Sequence, residues 1–362
     1  MTSNDNKDTK KSLNVQLSAL FPFEESNLIT GEEKEIRGQD YIQFGTDNKY
    51  PQYIFDLYET VPTLGSIINS VVDYAAGDGV EVKDHILFGS EAKTTDFLRN
   101  IFLDLAVYGG CYINVLRSKL GNVARLAVLD YRHVRSDKDN KLFYYSPDFT
   151  KKSYGRCKYT CLPAFDPENK TQVSSIYYIK THSKGTYARP IWAQAQVACE
   201  LEKVINEFSL NEVNNGFASN VVINMNNGRP TDEVQKEIVD MFTEKYTGYQ
   251  NAARPVVTFN EDKDHAPTID KLNVDNFNER YAATQERAKQ QILTAWRCNG
   301  NLVGIPTAQG FNSEEYQSSY NLFYKTVVKP IQNRALIALE EITGKPDGIT
   351  INPFTIDFGN NE

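Results

Sequence analysis

The sequence predicts an α+β chain of several packed units, with short helices and β-type segments before Pro190 and long helices flanking one small α/β unit after it. Three observations carry this. At 362 residues the chain exceeds twice the roughly 150 residues of an ordinary domain. Apolar residues recur at i, i+3, i+4, i+7 in several long segments, the mark of amphipathic helices. Short runs rich in β-branched and aromatic residues, bounded by Gly, Asn and Asp, read as strands and hairpins. With 40% hydrophobic and 24% charged residues, and with 21 Gly and 14 Pro, collagen-like, low-complexity and wholly disordered chains are excluded.

In chain order, residues Met1 to about Leu13 are too polar to bury anything and read as an arm. Leu17 to Arg37 ends in the charge run Glu32, Glu33, Lys34, Glu35, expected to be a solvated face. Tyr41–Gly45 leads into a turn, and Pro51 stands near the first position of a helix carrying Ile54, Leu57 and Tyr58. Leu64, Ile67, Ile68, Val71, Val72 and Ala75 form the stripe of a second helix, stopped by Gly77-Asp78-Gly79. A third helix is expected from about Thr95 to Tyr108, ending at Gly109-Gly110. Cys111–Leu116 and Ala124–Leu129 read as a hairpin, followed by strands at Leu142–Tyr145, Tyr154–Leu162 and Ser175–Ile179.

From Pro190 the pattern becomes helical. Ile191, Ala195, Ala198, Leu201, Ile205 and Phe208 predict one apolar stripe on a helix of about 25 residues, some 37 Å long, with Glu200, Lys203 and Glu207 opposite. A small unit follows: strand Ser219–Met225, helix Thr231–Tyr246 with Thr231 as N-cap, and strand Arg254–Phe259. A second long helix, Val274–Cys298, has little apolar surface in its first half (Glu279, Arg280, Thr284, Gln285, Glu286, Arg287). After a polar, Gly-containing loop a last helix starts at Ser313 and runs to about Gly344, with a kink expected at Pro330.

The net charge of −8, from 47 acidic and 39 basic residues, disfavours a nucleic-acid binder working through a basic surface, so any DNA contact is local or loose. The five cysteines, Cys111, Cys157, Cys161, Cys199 and Cys298, are odd in number and scattered, which indicates neither a disulfide framework nor a four-ligand zinc site and suits a reducing compartment. No run approaches the roughly 18 apolar residues of a membrane span, and Met1–Lys11 lacks the regions of a signal peptide, so synthesis and retention in a cytoplasm are expected.

No phosphate-binding Gly-x-x-x-x-Gly-Lys-Ser/Thr, dinucleotide Gly-x-Gly-x-x-Gly or His-Glu-x-x-His motif is present. Cys157, Cys161 and His182 lack a fourth metal ligand at any standard spacing. Cys111, with His133 or His85 as base, would be a nucleophile only if exposed; its apolar strand makes it a buried small hydrophobe instead. Asp262 and Asp264 lie in a polar loop and read as solvated. Neither catalysis, cofactor nor metal is indicated.

Several segments, taken in order, resemble the portal proteins of tailed bacteriophages in the shorter form without a large C-terminal crown. They are Phe44-Gly45-Thr46-Asp47-Asn48-Lys49-Tyr50-Pro51, Pro62–Ile68 leading to Gly77-Asp78-Gly79, Asp104–Gly110, Leu302–Ile305, Gly310–Tyr316 and Val327–Gln332. The resemblance spans Tyr41 to about Ile342. It implies a non-enzymatic portal fold: N-terminal arm 1–40, α/β wing 41–190, descending stem helix 191–215, small α/β clip 216–270, ascending stem helix 271–299, tunnel loop 300–312, C-terminal wing helix 313–343 and tail 344–362.

It further implies a ring, usually a dodecamer, at one capsid vertex of the virion, assembled in the host cytoplasm. Such a ring is a conduit for packaging and ejection of double-stranded DNA without sequence-specific binding. The implied partners are other copies of the chain, the terminase large subunit, a head-completion or adaptor protein, and the major capsid or scaffold protein, with no membrane. Twelve helices about 10 Å apart give an axis radius of about 19 Å and a bore of about 28 Å, wide enough for a duplex.

On this reading Asn301, Thr307, Gln309 and Asn312 line the tunnel, Asn312 having an ordinary helix cap as its alternative. Asp232, Glu233, Lys236 and Glu237 offer a docking face on the clip, with plain solvation as theirs. Two other readings of the whole chain stay open: a non-portal scaffold or adaptor module, and an α+β transferase. Only the portal needs a large closed ring.

Overall fold

The computed structural model describes residues 28–82, 91–150, 158–181, 183–214, 222–225, 230–238, 256–259, 277–305, 313–346 and 348–355. In chain order it contains β1 (Glu33–Lys34), β2 (Gln43–Phe44), α1 (Tyr50–Thr60), α2 (Pro62–Ala76), β3 (Val80–Val82), α3 (Glu91–Tyr108), β4 (Gly110–Arg117) and β5 (Val123–Leu129). Next come β6 (Val134–Ser136), β7 (Leu142–Tyr145), β8 (Thr160–Pro163), β9 (Ser174–Lys180), α4 (Gln196–Asn214) and β10 (Val222–Met225). Helix α5 (232–238) precedes β11 (Val256–Phe259), and α6 (Phe277–Trp296), α7 (Ser313–Phe323), α8 (Lys329–Thr343) and β12 (Ile349–Ile351) complete the chain.

The α2 stripe becomes the centre of the core, as its period requires: Leu64, Ile67, Ile68, Val71 and Ala75 are all fully buried. Pro62 occupies its first turn, where the missing N–H is no loss. Gly77 closes the helix at φ +60, donating to the Asp73 carbonyl, and a Cβ there would run into the carbonyl oxygen of Asn352. The left-handed glycine therefore permits both the stop and the approach of the returning chain, whose β12 pairs antiparallel with β3.

Helix α3 starts four residues before the expected Thr95 and lies against α2. It ends at Gly109, φ +75, where a Cβ would meet the Arg189 carbonyl. Strand β4 then forms the middle of the antiparallel sheet β5-β4-β9. Its Cys111, Tyr112, Ile113 and Val115 are completely buried, which is why it reads as an almost unbroken apolar run. A tyrosine stack holds one face, with the Tyr112 ring 4.3 Å from Tyr178 and 4.9 Å from Tyr131. A second antiparallel sheet, β6-β7-β8, adjoins it.

Three further expectations change. Strand β8 begins at Thr160, residues 151–157 lying outside the described residues. In the charge run, Glu33 is not simply solvated: its carboxylate accepts the backbone N–H groups of Thr186 (2.7 Å) and Tyr187 (3.2 Å). The first long helix begins at Gln196, after a 3-10 turn over Ala193–Ala195, because Trp192 is fully buried and its indole N–H donates to the Ala106 carbonyl at 3.1 Å. At the kink expected near Pro330, the last helix is broken by a π-helical turn, Tyr324–Val328, that ends two residues ahead of the proline. Proline cannot donate to the carbonyl four residues back, and a widened turn absorbs the mismatch.

Candidate channel and docking elements

Two helices flank the small α/β unit, and their contacts show how they run. Phe208 of α4 stacks on Tyr281 of α6 at 5.0 Å, and Gln285 donates to Asn206 at 2.9 Å, while the 3-10 turn that leads into α4 also contacts α6. Rising residue numbers on one helix meet falling numbers on the other, so the pair is antiparallel.

Their inner halves are anchored in the core. Helix α6 buries Ala288, Ile292, Leu293 and Trp296, whereas Glu286 and Arg287 in its first half are exposed. This division matches the sparse apolar content of that half. Helix α4 buries Ala198, Cys199, Glu202 and Ile205, and the turn before it buries Ala195.

Glu202 is an acid at a core position, and α2 explains it. No side chain caps the N-terminus of α2 from Val61, and Glu202 supplies the missing acceptor, taking the Thr63 hydroxyl at 2.9 Å and the Thr63 N–H at 3.4 Å. Burial pushes its carboxyl pKa above the ordinary range, against the pull of those bonds and of Lys289. A raised acid pKa means that the folded state binds protons more readily than the unfolded one. The carboxyl therefore favours folding most below its ordinary pKa, and that advantage is lost as pH climbs through the raised value. Glu202→Gln keeps an acceptor for Thr63 without the charge, so the variant should match or exceed the parent in stability at pH 7 to 8. The difference should shrink toward pH 4, as read by denaturant melts across pH.

The expected single stripe on α4 is in fact split. Ile191 lies before the helix and is exposed, and Leu201 is 37% exposed rather than buried. Leu201 instead joins Val197 (64%) and Val204 (54%) at i, i+4, i+7 on a second apolar face beside the buried one. No element among the described residues covers it.

Beyond α6, the expected tunnel loop opens as a 3-10 turn, Gly300–Val303. The Asn299 side chain accepts the Asn301 N–H at 3.3 Å and donates to Ser319 of α7 at 3.3 Å. Leu302 is buried, and its carbonyl accepts the Tyr74 hydroxyl of α2 at 2.8 Å, so this end of the loop is pinned to the core. Asn301 is half-buried on that turn. Thr307, Gln309 and Asn312 lie outside the described residues.

Strands β10 and β11 pair in parallel, Val222 opposite Val256 through Met225 opposite Phe259. Parallel strands require a crossover, and α5 lies on it. Gln235 is buried, donating to the Pro230 carbonyl at 2.7 Å, while its N–H donates to the Thr231 carbonyl at 2.9 Å. Asp232, Glu233, Lys236 and Glu237 are all exposed on the remaining faces of α5. These four share one helix; Asn301 belongs to a separate element.

The residues weighed for chemistry have structural surroundings. Cys111 is completely buried, and burial beside Asp104 pushes its thiol pKa well up, the opposite of an activated nucleophile. His133 lies 3.9 Å from Asp130, which is already held by Arg132 at 2.6 Å. Cys157, His85, His182, Asp262 and Asp264 lie outside the described residues. Among the described residues no cluster of three or more His, Cys, Asp or Glu side chains is placed to hold a metal, and no helix is long and apolar enough to cross a membrane. Sequence reasoning missed Glu202 and the α4 side stripe; only the surplus of apolar residues around α4 hinted at the latter.

A profile of the family described as "Phage portal protein" matches residues 77–349. No individually curated protein matches the sequence. Among solved structures, the chain is similar to a component of the neck of a native gene transfer agent particle computed with C12 symmetry, at 18% identity and a TM-score of 0.51, covering 86% of this chain and 85% of that one. It is also similar to the crystal structure of an HK97-family phage portal protein from Corynebacterium diphtheriae, at 8% identity and a TM-score of 0.52, covering 83% of this chain and 95% of that one. A chain of the native gene transfer agent virion matches at 16% identity and a TM-score of 0.51, covering 95% of this chain and 89% of that one. At these identities the likeness concerns the fold.

Proposed function

Because the chain belongs to the phage portal protein family, we propose that copies of it close into a twelvefold ring at one capsid vertex, acting as a structural, non-enzymatic conduit for double-stranded DNA. The observation that carries this reading is the antiparallel α4/α6 pair, rooted in the core and bearing the β10-α5-β11 unit between its free ends. We read α4 and α6 as the descending and ascending stem, residues 216–270 as the clip, the core with its sheets as the wing and residues 300–312 as the tunnel loop. The polar first half of α6 then borders a wet channel, and the side stripe of α4 meets the next subunit. The net charge of −8 suits a duplex that must slide, because tight phosphate contacts would hold it.

On the clip, the exposed charges of α5 are the proposed docking face for the terminase and later for head-completion proteins. Reversing Glu233 and Glu237 to Lys should weaken terminase capture severalfold in a pull-down and leave ring assembly intact. Undiminished capture would remove α5 from the docking face. For the tunnel loop, Asn301, Thr307, Gln309 and Asn312 are proposed to face passing DNA with uncharged groups. Gln309→Lys would place a cation in every subunit, so that phosphate attraction adds up around the bore. Packaging in an in vitro motor assay should slow at least severalfold while rings still form; a normal rate would contradict the assignment.

A further inference from the structure

Arg135 of β6 is 2% exposed and has no carboxylate partner among the described residues. Buried arginines are normally paired, because an uncompensated charge is expensive to take out of water. Here the guanidinium is held only by neutral groups. Its Nε donates to Asn48 Oδ1 (3.3 Å), Nη1 to the carbonyls of Arg132 (3.1 Å) and Val134 (2.7 Å), and Nη2 to the Asn48 carbonyl (2.7 Å). The Phe149 ring covers it at 4.7 Å. A guanidinium has five N–H donors, so one on Nη2 is left over.

The same side chain lines a cavity of about 860 Å³. Lys49 of the turn before α1 and Lys203 of α4 also line it, and neither forms an ion pair among the described residues. Arg132, at the same wall, is already neutralised by Asp130. Three carboxylates, Asp56, Asp148 and Glu200, also line it, none of them buried; Gln52 donates to Asp56 (2.7 Å) and the N–H and hydroxyl of Thr150 to Asp148 (2.8 and 2.6 Å), neutral donors that leave the charge in place. Among these charges Arg135 is the one that is fully buried, and no ion pair neutralises it among the described residues.

We propose that this cavity is an oxyanion-binding site, in which the spare Nη2 donor of Arg135 is the buried group and Lys49 and Lys203 are the other unpaired cations of the lining, taking a carboxylate or phosphate group. Charge-assisted bonds from a guanidinium suit the planar pair of oxygens of either group. The inference stands apart from the ring: it needs only the folded subunit. A purely structural Arg135, serving to hold the left-handed Asn48 turn (φ 61), is the competing account.

The test is isothermal titration of the full chain with inorganic phosphate and, separately, with N-acetyl-Glu-Glu amide, at ionic strength held constant with sodium chloride. Saturable binding of at least one probe is expected: the dipeptide alone identifies a peptide carboxylate as the ligand group, phosphate alone a free or esterified phosphate. Because Arg135→Gln can fail to fold, the deciding variant is Lys49→Gln with Lys203→Gln, which leaves the Asn48 turn untouched. It should weaken binding about tenfold. If neither probe binds beyond the chloride control, or the double variant binds as tightly as the parent, the proposal is overturned.

Discussion

Val204→Asp is expected to leave the subunit folded and to abolish the closed ring. Val204 is 54% exposed on the side stripe of α4, so in an isolated subunit the substitution removes little buried surface and adds a solvated charge. In the proposed ring the same position lies in the seam between stem helices. An unpaired carboxylate buried there costs several kcal/mol, and every 1.4 kcal/mol is tenfold in association. Since the charge repeats at each seam, the penalty recurs around the ring. Size-exclusion chromatography with circular dichroism reads both halves of the expectation: a native helical spectrum with subunits in place of assemblies. Val204→Asp rings of normal yield would show that the stripe faces solvent or another partner.

The second large effect concerns the joint between stem and wing. Trp192 is fully buried, its indole N–H bonded to Ala106 of α3, immediately before the turn that launches α4. Trp192→Ala leaves both a large cavity and an unsatisfied carbonyl at that joint, so a loss of about 3–5 kcal/mol is expected. Against a total of about 5–15 kcal/mol, this brings the subunit near the limit of folding. Urea melts should show the midpoint falling sharply, and Trp192→Phe, which restores most of the volume but not the donor, should recover more than half of the loss. A midpoint within experimental error of the parent would mean that the joint relaxes around the hole and does not fix the direction of α4.

How far the sequence revealed all this depends on where each residue's partner lies. Helix α2 was readable because all its apolar positions share one face and its stop signal, Gly77, is local. Val222–Met225, 232–238 and Val256–Phe259 were readable for the same reason, each having its own period, while the rest of the expected strand–helix–strand unit lies outside the described residues. Glu202 and Glu33 were not: Glu33 reads as part of a solvated charge run and Glu202 has no local signal, and the acceptor role of each is assigned by backbone or hydroxyl groups more than a hundred residues away, Thr63 for Glu202 and Thr186 for Glu33. Helix α4 was half readable. It carries two adjacent apolar faces, and periodicity alone cannot say that Ala198 and Ile205 turn inward while Val197 and Val204 turn out. The π-helical turn before Pro330 was foreseen as a kink, since proline forbids the regular ladder, though not as the form the kink takes.

The central claim is the closed ring, and native mass spectrometry of the purified full chain tests it most directly. Twelve copies of a 41.1 kDa subunit predict a single dominant species near about 490 kDa, with annular particles of matching mass in electron micrographs, as a closed head-to-tail interface requires. A chain that remains at the mass of a monomer or dimer across concentration and salt, with α4 and its stripe intact, would contradict the account.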